Sequence, residues 1–146
     1  MEALYDLDFY KCKQENARLL RDGRLFEIDI ENIIEELESM GRSEKRAFVN
    51  RLAVLIAHLL KWGYQPERRS KSRRNTIDTQ RIDVAALLND SPSLHHGIEE
   101  RLSHAYVKAR ILAEPDTELD RETFPSTCPY EFEQIVDKSF FPEAVR

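Results

Sequence analysis

The sequence predicts an all-α protein: a single helical domain over residues 1–146, a bundle of five or six helices around a central apolar helix at about residues 43–62. Three observations carry this. The stretch Ser43 to Tyr64 places Phe48, Val49, Leu52, Leu55, Ile56, Leu59 and Leu60 at i, i+3, i+4, i+7 spacing, one broad apolar stripe of period 3.6. Other segments repeat that period, and none shows the apolar–polar alternation of a half-buried strand. Only four glycines and six prolines punctuate a chain that is 34% charged and 41% hydrophobic, a profile of helix-rich globular proteins rather than disordered ones. A large apolar side chain stabilises by about 1.5–3 kcal/mol when fully buried. The Ser43–Tyr64 stretch therefore offers the most core per residue.

Each element follows from local signals. Asp6 caps a first helix that Gly23 closes after Arg18 and Arg21, with Phe9, Tyr10, Ala17 and Leu20 sharing an inward face. Leu25 and Phe26 lead into a second helix capped by Asp29, whose Ile30, Ile33, Ile34, Leu37 and Met40 match the helical template. Gly41 either ends that helix or marks where it runs on into the central one, which Ser43 can cap and Gly63 can end in a left-handed turn. After Gln65-Pro66, a helix beginning between Ser70 and Ser72 runs to Leu88 or Asn89 and is more exposed in its first half. Ser91-Pro92 opens a fifth helix carrying Leu94, Ile98, Leu102, Ala105, Tyr106, Ala109 and Leu112 and stopping before Pro115. A polar connector leads to a short helix starting at Cys128-Pro129 with Phe132, Ile135 and Val136, and Phe140, Phe141 and Pro142 dock as an irregular tail.

A chain of 146 residues can bury about 70% of its unfolded surface, so its fold requires no metal or disulfide. Cys12 and Cys128 lie far apart without metal-ligand spacing and read as reduced thiols of a cytoplasmic protein. The first residues lack the basic start and apolar core of a secretory signal. The longest apolar run, Leu52 to Leu60, is about half a membrane span, so the expectation is a soluble protein with no membrane partner.

Several runs, in order along nearly the whole chain, resemble the bacterial domain-of-unknown-function 29 family: LYDLDFY, ARLLRDGR, EELESMGRSEKR, HLLKW, QPERRSKS, the TI-x-x-QR of Thr76 to Arg81, SPSL and FPSTCPY. The resemblance implies a small helical bacterial protein. It implies no activity, catalytic residue or cofactor. Cys12 and Arg73 stand where that family's pattern has tryptophan.

The net charge is −5, but unevenly spread. From Glu27 to Glu38 there are six acids and no base, and from Lys61 to Arg81 seven bases against two acids. The basic segment is the leading binding surface, comprising Arg68, Arg69, Lys71, Arg73, Arg74, Gln80 and Arg81. Guanidinium forks suit phosphate and carboxylate, so a nucleic-acid backbone and an acidic protein partner are both within its chemistry. The competing reading is that these bases pair with the acidic helix or stay solvated. An overall acidic chain without interleaved aromatics favours that reading.

The metal reading uses Glu31, Glu35 and Glu38, on one helical face, with His58. The Glu-x-x-His spacing of bundle di-metal sites is absent, Glu100 and His104 form only an i, i+4 pair, and His95 and His96 point apart. No cofactor is expected. Neither cysteine is near a histidine in sequence, and no Gly-x-Ser-x-Gly or glycine-rich phosphate loop occurs. A thiolate at Cys128 is favoured only if a helix starts there. The residues point to a macromolecular-interaction protein rather than an enzyme, with self-association available because acidic and basic faces share one chain. The runner-up is a metal-binding or enzymatic bundle using Glu35, Glu38 and His58.

Overall fold

The structure is a computed structural model, and it describes residues 9–145. Every regular element among them is helical: α1 (Phe9–Arg21), α2 (Ile30–Tyr64), α3 (Lys71–Asp90), α4 (Ile98–Thr117) and α5 (Phe132–Val136), joined by short 3₁₀ turns. The all-α expectation holds. The chain divides into two compact units, Met1–Glu44 and Lys45–Arg146.

In the first unit, α1 ends at Gly23, whose left-handed φ of 74° makes it the expected terminator. Asp29 caps α2 as expected: its carboxylate accepts from the Asn32 N–H at 3.3 Å and from the Asn32 side-chain amide. The inward face of α1 is different from the expected one. Cys12, Asn16 and Leu19 are buried at i, i+4, i+7, whereas Tyr10, Ala17 and Leu20 are exposed. Asn16 ties the hairpin together, its Oδ1 accepting from the Asp29 N–H at 3.0 Å and its Nδ2 donating to Cys12 Sγ at 3.3 Å. Asp6 and the side chain of Phe9 lie outside the described residues.

α2 is one continuous helix of 35 residues, so of the two alternatives at Gly41 the helix runs on, and it has no separate cap at Ser43. A break would leave up to four unpaired groups on each side, against about 1 kcal/mol for a helical glycine. The expected left-handed end at Gly63 is also absent. Gly63 is buried within the helix, and a Cβ there would meet the Glu143 carbonyl and the Pro142 ring, each at 3.4 Å. Its carbonyl accepts from the Val145 N–H at 2.8 Å. The glycine admits the chain's tail rather than turning the helix.

The second unit holds the core. Phe48, Leu52, Leu55, Ile56, Leu59 and Leu60 of α2 pack with Ile77 and Val84 of α3, with Leu102, Ala105, Tyr106, Ala109 and Ala113 of α4, and with Phe124, Phe132 and Ile135. α3 starts where expected, Ser70 Oγ accepting from the Arg73 N–H at 3.1 Å. Its burial is not concentrated late, because Ile77, Arg81 and Val84 are spread along it.

The fifth helix differs at both ends. Leu94 sits on a 3₁₀ turn (Pro92–His95), Gly97 at φ 68° breaks the backbone, and α4 begins at Ile98. α4 then runs through Pro115 to Thr117, although a proline there brings no N–H and its ring crowds the carbonyl four residues back. Its stripe continues through Ala113, and Leu112 is exposed. The polar connector is held against α4: Tyr106 donates to the Pro125 carbonyl at 2.6 Å, and Glu114 accepts from the Arg121 N–H at 2.8 Å. α5 begins at Phe132, not at Cys128-Pro129, because Glu131 and Gln134 form a reciprocal capping box.

Candidate functional site

The basic segment is largely spent inside the second unit. Arg81 is 2% exposed and donates to three carbonyls, that of Ile135 in α5 at 2.8 Å and those of Lys138 at 3.5 Å and Phe140 at 2.6 Å beyond it. Burial pulls its guanidinium below the ordinary arginine value. Arg69 lies over the Trp62 ring and donates to the carbonyls of Trp62 at 3.0 Å and Pro142 at 3.1 Å. Arg73 donates to Gln65 at 2.9 Å, and Arg74 lies over Phe141. Gln80 is half-buried, while Arg68, Lys71 and Arg74 are exposed. The acids of the other segment pair locally: Glu27 with Arg24, Glu35 and Glu38 with Arg42, and Glu36 with Lys13 at 3.4 Å.

Around the end of α2, Lys61 is nearly buried and bonded to the exposed carboxylate of Asp116, with Gln65 donating to the Asp116 carbonyl at 3.4 Å. Burial, with the cations of Lys61 and Arg73, pushes His58 down to about 4, against an opposing pull from Asp116. His58 is thus a neutral imidazole at neutral pH. Glu31, Glu35 and Glu38 are exposed. No three His, Cys, Asp or Glu side chains come together as a metal cluster among the described residues.

Cys128 opens onto a cleft of about 580 Å³ beside Tyr106 and Tyr130. Burial raises its thiol, and its Sγ donates to the Tyr130 carbonyl at 3.3 Å. Without a helix start beneath it, the thiolate-favouring position expected there does not exist. Trp62 and Tyr64 are packing residues, meeting Phe141 and Phe124 with ring centroids 5.0 and 4.9 Å apart.

The surface that stands out lies in the first unit. Between α1 and α2 runs a groove of about 470 Å³ lined by Ala17, Leu20, Ile33, Leu37 and Met40, with Asn16, Asn32 and the Lys13–Glu36 ion pair among them. Ile30 and Ile34 add exposed apolar surface on α2, and at the hairpin turn Leu25 is exposed and Phe26 fully so. From Tyr10 to Glu44 the buried side chains are Cys12, Asn16 and Leu19 alone. Periodicity marks Ile30, Ile34, Leu37 and Met40 as core, yet all four are exposed. Sequence period alone carries no signal that separates this exposed stripe from a buried one.

These features define a helical protein with an open two-helix groove among its surface clefts. The chain belongs to the family described as Domain of unknown function DUF29, whose model matches residues 4–141. No curated protein and no solved structure matches it. No helix among the described residues is long and apolar enough to cross a membrane.

Proposed function

We propose that this chain is a non-catalytic protein-interaction module of the bacterial cytoplasm whose docking surface is the α1–α2 groove. One observation carries the reading. Leu20, Ile30, Ile34, Leu37 and Met40 are exposed on a unit whose described residues from Tyr10 to Glu44 bury only Cys12, Asn16 and Leu19. Contiguous apolar surface of this kind marks sites that a partner covers, and a groove between two helices is the shape that receives an amphipathic helix. The two cysteines are free thiols, in keeping with a reducing compartment. The basic segment serves here mainly to hold the tail, and its exposed Arg68, Lys71 and Arg74 form a lesser surface.

A photo-crosslinking residue in place of Leu37, activated in living cells, tests the reading. Discrete protein adducts are expected there and not at the exposed control Asp120. Equal or absent crosslinking at the two positions overturns it.

A further inference from the structure

Resting on that reading of the groove, we propose that its occupant is a second copy of this chain, hairpin beside hairpin, in a four-helix bundle about a two-fold axis along the helices. The two walls of the groove carry opposite charge. α1 bears Lys11, Lys13, Arg18 and Arg21 against Glu15, and α2 from Ile30 to Met40 bears Glu31, Glu35, Glu36 and Glu38 with no base. Within the hairpin Lys13 already meets Glu36, Arg18 meets Glu15 and Asp22, and Arg42 meets Glu35 and Glu38, which leaves Arg21 and Glu31 as the pair open to a second copy. A two-fold along the helices sets α1 of each copy beside α2 of the other. The basic helix then meets the acidic one twice, and neighbouring helices all run antiparallel.

The register of the acids fits this. Glu31, Glu35 and Glu38 each follow Ile30, Ile34 and Leu37 by one residue, so carboxylates edge the exposed apolar stripe as flanking charges edge a helical seam. Arg21 at the end of α1 and Glu31 at the start of α2 stand at the same end of the hairpin, and neither has an ion-pair partner among the described residues. In the two-fold arrangement they face each other across copies. A foreign helix has to match an apolar floor and two walls of opposite sign; a second copy matches all three by symmetry. Size argues the same way, because units of about 40 residues are usually completed by oligomerisation, metals or disulfides, and this one holds neither a disulfide nor a metal cluster among the described residues.

Sedimentation equilibrium of the full chain is the test, with circular dichroism on each variant. The native chain is expected to be a dimer and Leu37→Glu a monomer of unchanged helicity. Arg21→Glu turns two attractions into like-charge contacts and should weaken association by about tenfold. The double variant Arg21→Glu with Glu31→Arg restores the opposite signs and the native affinity. Should Leu37→Glu unfold, the charge pair alone decides. A native monomer at high micromolar concentration overturns the second copy while leaving the docking reading to the crosslink at Leu37. A dimer indifferent to the reversal, or a double variant no tighter than the single one, overturns the proposed interface.

Discussion

Arg81 donates from Nη2 to the Phe140 carbonyl at 2.6 Å, and the same guanidinium lies over the next ring, Phe141, 5.2 Å from its centroid. One buried cation on α3 thereby fastens the C-terminal tail through both backbone and side chain. Arg81→Met preserves much of the packing but leaves three carbonyls without their donor. A loss of about 2–4 kcal/mol is expected in urea unfolding. Arg81→Lys should recover little, because one ammonium cannot replace a planar fork aimed at three acceptors. Equal stability of the lysine variant and the native chain would refute the clamp.

Acid sensitivity should come in two steps. His58 is depressed from 6.5 to about 4, so between those values the unfolded chain takes up a proton that the folded one does not. Stability is then complete above pH 6.5, falls as the pH drops towards 4, and levels off below, by up to about 3 kcal/mol. Asp116 is held below its ordinary 3.8, first by the hydrogen bond from Lys61. Its contribution is present above that value and is lost as the pH falls through the depressed one. His58→Gln should flatten the first limb and Asp116→Asn the second, read as unfolding free energy against pH. A first limb unchanged in His58→Gln would rule out the histidine as its source.

Two glycines of α2 should respond oppositely to larger side chains. A methyl placed on Gly41 would meet nothing within 4 Å, so Gly41→Ala should stabilise by about 0.5–1 kcal/mol through helix propensity alone. At Gly63 the Pro142 ring and the Glu143 carbonyl stand 3.4 Å from the same position, room for a methyl and no more. Gly63→Leu should displace the tail and lower the melting temperature, with limited proteolysis cutting near residue 140. Tolerance of leucine at 63 would mean the tail is not packed there.

Thiol reactivity should be low in the native chain. Cys12 is 1% exposed, and burial raises the Cys128 thiol. A disulfide reagent at neutral pH should label both slowly and, in urea, quickly. Rapid labelling of one thiol in the native state would contradict the burial described here.

Much of the second unit is legible in the sequence because its burial follows sequence period. Phe48 to Leu60 lie where the helical template puts them, Ser70 caps α3, and the tail docks through Phe141. The first unit misleads for the opposite reason. Ile30, Ile34, Leu37 and Met40 have the period of a core face, but an exposed stripe has the same period as a covered one. The basic segment divides in a way the sequence does not mark. Charge density on a helix cannot distinguish Arg68, which faces water, from Arg81, whose acceptors lie more than fifty residues away. Boundaries move where a local signal meets a stronger one, as at α5, where the Glu131–Gln134 box sets the start downstream of Pro129.

The uninterrupted course of α2 has a kinetic consequence. Its amides share one ladder but not one degree of shelter. From Leu37 to Ala47 every residue is exposed, while from Leu52 to Leu60 nearly all are buried. Deuterium uptake should therefore divide a single helix into two regimes. Amides before Phe48 should exchange through opening of the first unit alone, at a free energy below the global one, and those after it only when the second unit opens as a whole. A helix that looks uniform in its hydrogen bonds would then report two separate stabilities.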